Sequence, residues 1–569
     1  MSPDITELVA QATAWVAEDP DPSTARELTE LVGLVEAGDS GAAADLAERF
    51  SGHLTFGTAG LRGEIGAGPM RMNRVVVSHA AAGVGHFLLE RQVTASDVSV
   101  VIGYDARTLS DVFARDTAEI LSGMGIRALL FSAPVPTPVL AFAVRHLNTD
   151  AGIMVTASHN PPADNGYKVY LGGADHGSQI IPPADSEIHS HIMASHDSTS
   201  ATAIARSQSL IDVVGNDVID AYIEQTATLL PTSEADKSAL LVCYTPLHGV
   251  GRDVFLTLLD RTGFPPPVVV ASQADPDPAF PTVSFPNPEE PGALDEAYAT
   301  ATAHHCDLII AHDPDADRLA VAVRDDSAAT GWSMMSGNNL GVVLLADIAE
   351  RAHSTGVTGS LACSLVSTPM IAQIAAQNGL RFVSTPTGFK WISRPHDLLA
   401  GFEEAIGYLV NPGTVRDKDG ISAGLALYDL AVRLHARGMS LPDRLAEIAT
   451  TYGGWASDTI SARLGSVSEV SDLMAQVRQA PSALLSDTNM TVVDYLVNPP
   501  GGFPHTDLIT AEDGLGGRVI IRPSGTEPKL KIYIDALAHD TASAQDAASR
   551  LASTCRAGFA SLTGDRGGE

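Results

Sequence analysis

Positive charge is scarce in this chain. Its 569 residues carry 35 lysines and arginines against 68 aspartates and glutamates, a net charge of −33. A surface that acidic argues against nucleic acid or an anionic membrane as a partner, because both repel it. If phosphate is bound, a few concentrated cations must do it. Cysteine is nearly absent: Cys243, Cys306, Cys363 and Cys555 stand far apart with no C-x-x-C spacing. Neither a disulfide framework nor a zinc site is expected from them. Aromatics make up only 5%, so the cores must rest on Ala, Val, Leu and Ile. No uninterrupted apolar run approaches the ~18–20 residues that cross a bilayer. The opening MSPDITELVAQATAWVAEDPDPS lacks both a basic start and a continuous apolar stretch. It reads as an acidic amphipathic helix rather than a signal peptide, and the expected compartment is the cytoplasm.

What is present is a repeated pattern. Apolar, β-branched runs such as VSVVIGYD, GIMVTASHNP, ALLVCYTPLHGVG and DLIIAHDPDAD end abruptly in polar turns. Alanine-rich stretches of helical spacing lie between them. Short buried strands alternating with helices predict an α/β fold with largely parallel sheets. Ligands of such sheets bind beyond the carboxyl ends of strands, where these turns fall. The final RVIIRPSGTEPKLKIYIDA alternates more like an antiparallel sheet. Composition changes near 196–209, 324–332 and 451–465 suggest four domains: 1–205, 206–325, 326–452 and 453–569.

Several turns carry residues suited to chemistry. In TASHNPPADNGYKVY, Ser158 ends a strand beside His159. A lone serine needs a base, a metal or phosphorylation to react, and a turn closed by Ser and Asn side chains is the alternative. In DPDADR, Asp313, Asp315 and Asp317 alternate after an apolar strand, which puts three carboxylates on one side. Without a cation they repel; a hard divalent ion such as Mg²⁺ resolves this. Asp-Pro-Asp also stands at 19–21 and 275–277, without the preceding strand, and there reads as loop. In RPSGTEPKLKIY, Arg522, Ser524, Gly525, Thr526 and Lys529 form either a phosphate cradle or a hairpin turn with solvated charges. FGTAGLRGEIG supplies Arg62 in a glycine-rich loop, and GFEEAIGY sets Glu403 and Glu404 among apolar neighbours, as if buried. TPTGFKW and TVRDKDG add Lys390 and Lys418. Lysine occurs only at positions 168, 237, 390, 418, 529 and 531. All but Lys237 lie in these segments, which suits a residue chosen for its titratable amine.

Taken in order, FGTAGLRG, TASHNP with NGYK, DPDADR, TGFKW, FEEAIG, DKDG and RPSGTEPK resemble the α-D-phosphohexomutase family. FPNPEE and FEEAIGY bring the resemblance nearest to its phosphoglucomutase/phosphopentomutase branch. It implies three related α/β domains and a smaller C-terminal α+β domain with an antiparallel sheet. It implies an isomerase that turns sugar 1-phosphate into 6-phosphate, most simply α-D-glucose 1-phosphate into glucose 6-phosphate, with mannose or pentose phosphates as alternatives. Ser158 would carry the phosphoryl group as phosphoserine, beside His159. Asp313, Asp315 and Asp317, with the phosphoserine, would hold Mg²⁺. Arg62 and Arg318 would face the transferring group, and Lys168 and Lys418 would move the proton. Gly388, Lys390, Glu403 and Glu404 would meet the sugar. Arg522, Ser524, Gly525, Thr526 and Lys529 would hold the non-reacting phosphate. A bisphosphate such as glucose 1,6-bisphosphate would be intermediate and activator, and the expected assembly is a monomer or weak homodimer. Two departures stand out: Ala405 replaces a common Ser, removing one sugar hydrogen bond, and Pro314 replaces a common Gly.

Overall fold

The computed structural model describes residues 5–57, 60–91, 97–485, 490–523 and 528–563. They divide into two compact units: Met1–Met335 with Gly407–Val432, and Ser336–Ile406 with Arg433–Glu569.

The first unit opens with three helices where one was expected, Ile5–Glu18, Pro22–Glu36 and Ser40–Arg49. Their apolar faces close on Leu8, Trp15, Leu28, Leu31 and Leu46. Asp21 and Asp39 cap the second and third helices by accepting backbone N–H groups, so the first Asp-Pro-Asp copy is a helix cap. The run VSVVIGY then forms the strand Ser99–Tyr104, parallel to Ala151–Val155 on one side and Arg127–Phe131 on the other. Asp164–Leu171 adds antiparallel to Ala151–Val155, and Leu61–Glu64 adds antiparallel to Asp164–Leu171. A second sheet has Leu308–His312 at its centre, parallel to Val242–Thr245 and antiparallel to Leu319–Arg324.

Two expected boundaries move. Ile211–Val214, past residue 205, still pairs with Arg127–Phe131. The Ser/Thr/Ala-rich 196–209 is no linker, because Arg206 is anchored on the buried Asp116 at 2.6 Å. Trp332–Met334, past residue 325, pairs with Leu319–Arg324, so RDDSAATGW is a hairpin turn inside the second sheet.

In the second unit, Ser360–Ser364 lies between Arg381–Thr385 and Leu398–Glu403, all parallel. The C-terminal sheet is antiparallel throughout, in the order Gly454–Arg463, Lys529–Ala538, Gly517–Pro523, Ile509–Glu512, Thr491–Asp494. Helices Val467–Gln479 and Thr541–Thr563 bury Leu473, Met474, Val477, Ala548 and Ala552 against it. The overall plan is that of three α/β layers and an α+β terminus, as expected.

Candidate active site

The site in the first unit is built where strand ends meet. Strand Ala151–Val155 is wholly buried and delivers Thr156, Ala157 and Ser158 to its carboxyl end. Ser158 has φ +54°, a left-handed conformation that a non-glycine residue adopts only at a penalty of about 1–3 kcal/mol. Its N–H donates to Thr156 Oγ1 at 2.8 Å, and its Oγ donates to Asp313 Oδ2 at 3.0 Å. His159 Nδ1 lies 3.3 Å from the same Oγ. Burial, then the Arg318 and Arg62 charges, pull the His159 pKa well below its usual value, so the ring is neutral.

Strand Leu308–His312 brings in the second set. Asp313, Asp315 and Asp317 are fully buried, and their ligand oxygens lie within 4.8 Å of one another. The three carboxylates do converge, though not on an extended strand end as expected: residues 313–316 form a turn closed by the Ala316 N–H on the Asp313 carbonyl at 2.9 Å, with Ala316 at φ +54°. Asp313 Oδ1 accepts from the Arg318 N–H at 3.0 Å. Asp315 Oδ2 accepts from Thr137 Oγ1 at 2.6 Å and Lys168 Nζ at 2.7 Å. Asp317 Oδ2 accepts from Lys168 Nζ at 2.9 Å, and Lys418 Nζ is 3.2 Å away. The remaining Oδ1 atoms of Asp315 and Asp317 are buried with no hydrogen-bond partner among the described residues. Buried, unpartnered carboxylate oxygens beside a third carboxylate suit a hard divalent cation. The triad can hold a metal ion.

The electrostatics agree. Burial, reinforced by the Asp315 and Asp317 charges, pushes Asp313 well above the usual carboxylate range. Burial also acts to raise Asp315 and Asp317, but Lys168, joined at Asp317 by Lys418 and Arg318, outweighs it and holds both below that range. Burial acts to lower Lys168; Asp315 and Asp317 outweigh it and raise its pKa, which keeps the amine an ammonium.

Arg62 joins through Asn160 Oδ1 at 3.0 Å, its strand pairing with Asp164–Leu171. Lys418 is positioned by a buried polar frame. Asp417 Oδ2 accepts from Tyr170 OH at 2.9 Å and Gln179 Nε2 at 3.1 Å. Asp419 accepts Tyr222 OH, and burial pushes its pKa up to about 6. The Gly420 carbonyl is 2.9 Å from His312 Nε2. Ser158, His159, Arg62, Lys168, Lys418, Arg318 and the three aspartates are therefore brought together.

In the second unit, Gly388 has φ +102° and precedes the short helix Phe389–Ile392 that carries Lys390. Glu403 and Glu404 are half-buried, not buried as expected. Glu404 Oε2 accepts from Ser364 and Ser367 hydroxyls at 3.1 and 3.0 Å, which accounts for its place among apolar neighbours. Arg522 lies in strand Gly517–Pro523, in register with Lys531, and Lys529 opens the adjoining strand. Ser524, Gly525 and Thr526 fall outside the described residues.

Sequence reasoning missed Asp105, Arg107, Thr137 and Thr156. Arg107 donates to four main-chain carbonyls of the serine loop: Ser158 (2.7 Å), Asn160 (2.6 Å), Pro161 (2.8 Å) and Asp164 (3.1 Å). The one available signal was a polar turn, YDART, after an apolar strand.

Comparison with known proteins follows the same chain segments. The Phosphoglucomutase/phosphomannomutase alpha/beta/alpha domains I, II and III match residues 53–198, 220–327 and 336–452, and the C-terminal domain matches 472–553. A probable phosphomannomutase of Haemophilus influenzae is 46% identical over 83% of this chain and 94% of its own length. A probable phosphoribomutase of Schizosaccharomyces pombe is 34% identical over 95% of each chain. A Staphylococcus aureus phosphoglucomutase is 32% identical over 86% of this chain and 90% of its own. With four consecutive domains matched and the serine loop, acidic triad and lysines assembled in one site, the chain belongs to the α-D-phosphohexomutase family of phosphoglucomutases and phosphomannomutases and is a sugar-phosphate mutase, an isomerase.

Proposed function

We propose that this mutase interconverts α-D-glucose 1-phosphate and glucose 6-phosphate through phospho-Ser158 and glucose 1,6-bisphosphate. The observation that carries the serine route is the buried Ser158 Oγ held 3.0 Å from Asp313 at the edge of the acidic triad. Asp313, Asp315 and Asp317 would hold Mg²⁺, which when bound neutralises phosphoryl charge. The chain's own residues do the rest. The bond from phosphorus to Ser158 Oγ breaks as the free sugar hydroxyl oxygen bonds to phosphorus, and Lys418, deprotonated for this step, takes the hydroxyl proton on its free amine. Lys168, held as an ammonium, serves as countercharge and proton donor. Arg62 and Arg318 face the transferring group. The bisphosphate then returns its other phosphoryl group to Ser158. In the second unit, Glu403, with Gly388, Lys390 and Glu404, takes the sugar, and Arg522, Ser524, Gly525, Thr526 and Lys529 take the non-reacting phosphate.

Hexose rests on the higher identity, 46%, to the relative named for mannose phosphate. A pentose phosphate is the second reading, favoured by the phosphoribomutase that matches 95% of the chain. A coupled-assay panel of glucose, mannose and ribose 1-phosphates with catalytic bisphosphate decides between them. Glucose 1-phosphate is expected to have the highest kcat/KM, and a higher value for ribose 1-phosphate overturns the glucose assignment. Intact-mass and peptide mass spectrometry are expected to find one phosphate, on Ser158, and Ser158→Ala is expected to lose several orders of magnitude in rate. An unmodified enzyme, fully active without bisphosphate, contradicts the serine route.

A further inference from the structure

We infer that Arg107, with Asp105 and Thr156, is a latch that sets the position of Ser158 Oγ for phosphoryl transfer. The inference rests on the reading of Ser158 as the phosphoryl carrier. Residues 156–163 form no strand or helix, yet Ser158 sits in a left-handed conformation it would leave if released. Both peptide groups flanking it are pinned. Its N–H is taken by Thr156 Oγ1, whose own proton goes to Asp105 Oδ2 at 2.6 Å. Its carbonyl is taken by Arg107 Nη2.

Asp105 is the hub of this arrangement. Its Oδ1 accepts the Arg107 N–H at 3.0 Å and Ser110 Oγ at 2.7 Å, and its Oδ2 lies 3.5 Å from Arg107 Nε. The guanidinium spends four of its five N–H donors on four carbonyls between Ser158 and Asp164, drawing both ends of the loop to one point. Asp105 and Arg107 are both nearly inaccessible to solvent, so water does not replace these bonds. Lysine has the charge but only three donors on a tetrahedral nitrogen and cannot reproduce a planar fork. Neither residue bonds the triad carboxylates. Their effect on chemistry passes through Ser158, which makes them positioning residues.

The test follows phosphorylation of full-length enzyme by glucose 1,6-bisphosphate with Mg²⁺, read by intact mass, alongside steady-state kinetics. Arg107→Lys keeps the charge. The expected result is a roughly 10²-fold slower appearance of phospho-Ser158 and a similar fall in kcat, as a misplacement near 1 Å produces. KM for glucose 1-phosphate is expected to stay within about threefold, because no sugar or phosphate ligand is lost. A milder pair guards against misfolding: Thr156→Val removes the hydroxyl under the Ser158 N–H, and Thr156→Ser restores it. Val is expected to be slow and Ser close to wild type at equal melting temperature. Wild-type phosphorylation rates in both Arg107→Lys and Thr156→Val overturn the latch. A wild-type enzyme that turns over without ever taking phosphate on Ser158 overturns instead the phosphoserine reading beneath it.

Discussion

Adding one methyl group at Gly249 should disable the enzyme from outside the catalytic set. A Cβ built on Gly249 would lie 2.4 Å from both Cα and O of Pro314, whereas ordinary van der Waals contact begins near 3.4 Å. The shortfall is about 1 Å, and both opposing atoms are backbone, so no side chain can swing aside. Gly249 is not among the glycines with positive φ, so the effect is steric and not conformational. Pro314 lies between Asp313 and Asp315. The loop has little room to retreat: Val250 N–H is bonded to the Pro314 carbonyl at 2.9 Å, and on another side a Cβ at Gly420 would come within 2.2 Å of the Arg318 carbonyl. A displacement of about 1 Å in the triad corresponds to roughly 10²-fold in kcat/KM. Gly249→Ala should show that loss in the coupled glucose 1-phosphate assay, together with a raised half-saturating Mg²⁺ concentration. Gly33→Ala is the control: it sits within helix Pro22–Glu36 with no atom inside 4 Å of the added methyl. It should leave kinetics unchanged and gain about 0.5–1 kcal/mol in stability. A folded Gly249→Ala enzyme with wild-type turnover and Mg²⁺ dependence would refute the claim that backbone packing fixes the triad.

Asp315→Asn removes a charged oxygen that also anchors Lys168, and should raise the half-saturating Mg²⁺ concentration at least about tenfold; Asp277→Asn, in a turn where the carboxylate only caps the Ala279 N–H, should do little. Equal activity in excess chelator counts against the metal assignment. Arg522→Ala should raise KM for both the 1- and 6-phosphates by roughly 10- to 150-fold, the worth of an ionic hydrogen bond to phosphate, and unchanged kinetics would return that turn to a structural role. His79 is buried, and burial, then the nearby His196 and His53, lower its pKa from 6.5 to about 4. The unfolded chain therefore binds a proton that the fold refuses, so stability present above pH 6.5 is lost as pH falls toward 4, by up to about 3 kcal/mol. His79→Gln should flatten the fall of denaturation midpoint with pH in that window, and an unaltered slope contradicts the assignment.

The parts of the site that were legible in the sequence are those whose chemistry is local. Three aspartates spaced two apart after an apolar strand do converge, but through a turn and not through extended alternation: the strand stops at His312, the Ala316 N–H bonds the Asp313 carbonyl at 2.9 Å, and Ala316 turns at positive φ. The control copies separate for an equally local reason: Asp21 caps a helix and Asp277 a turn. Arg107 was not legible, because its partners are carbonyls 51 to 57 residues away that carry no side-chain identity. Thr137 reaches Asp315 across 178 residues and was invisible likewise. Composition misled at 196–209, where small polar residues suggested the end of a domain while Arg206, paired with Asp116 and Glu119, and the Ser207 N–H on the Glu119 carbonyl hold the segment to the first α/β layer. Lysine usage was the better guide. Lys168 and Lys418 sit on the triad, and Lys237, the one outside every motif, donates to the Thr262 carbonyl and lies 4.7 Å from the Phe264 ring centroid, a packing role.

The strongly acidic composition makes the local charge balance informative. Around Ser158 stand Arg62, Arg107, Lys168, Arg318 and Lys418, against Asp105, Asp313, Asp315, Asp317 and Asp417. With Asp164 acting on Arg107 and Asp419 in the frame around Lys418, these groups hold no surplus of positive charge, in a chain whose total is −33. Such a balance leaves nothing to offset the phosphoryl group proposed for Ser158, which would carry about −1.5 to −2. One divalent ion on the triad supplies that difference. The unpartnered oxygens of Asp315 and Asp317, and an Asp313 pKa raised by burial and then by those two charges, both mark a place that lacks a cation, the one the proposed phosphoserine would also need.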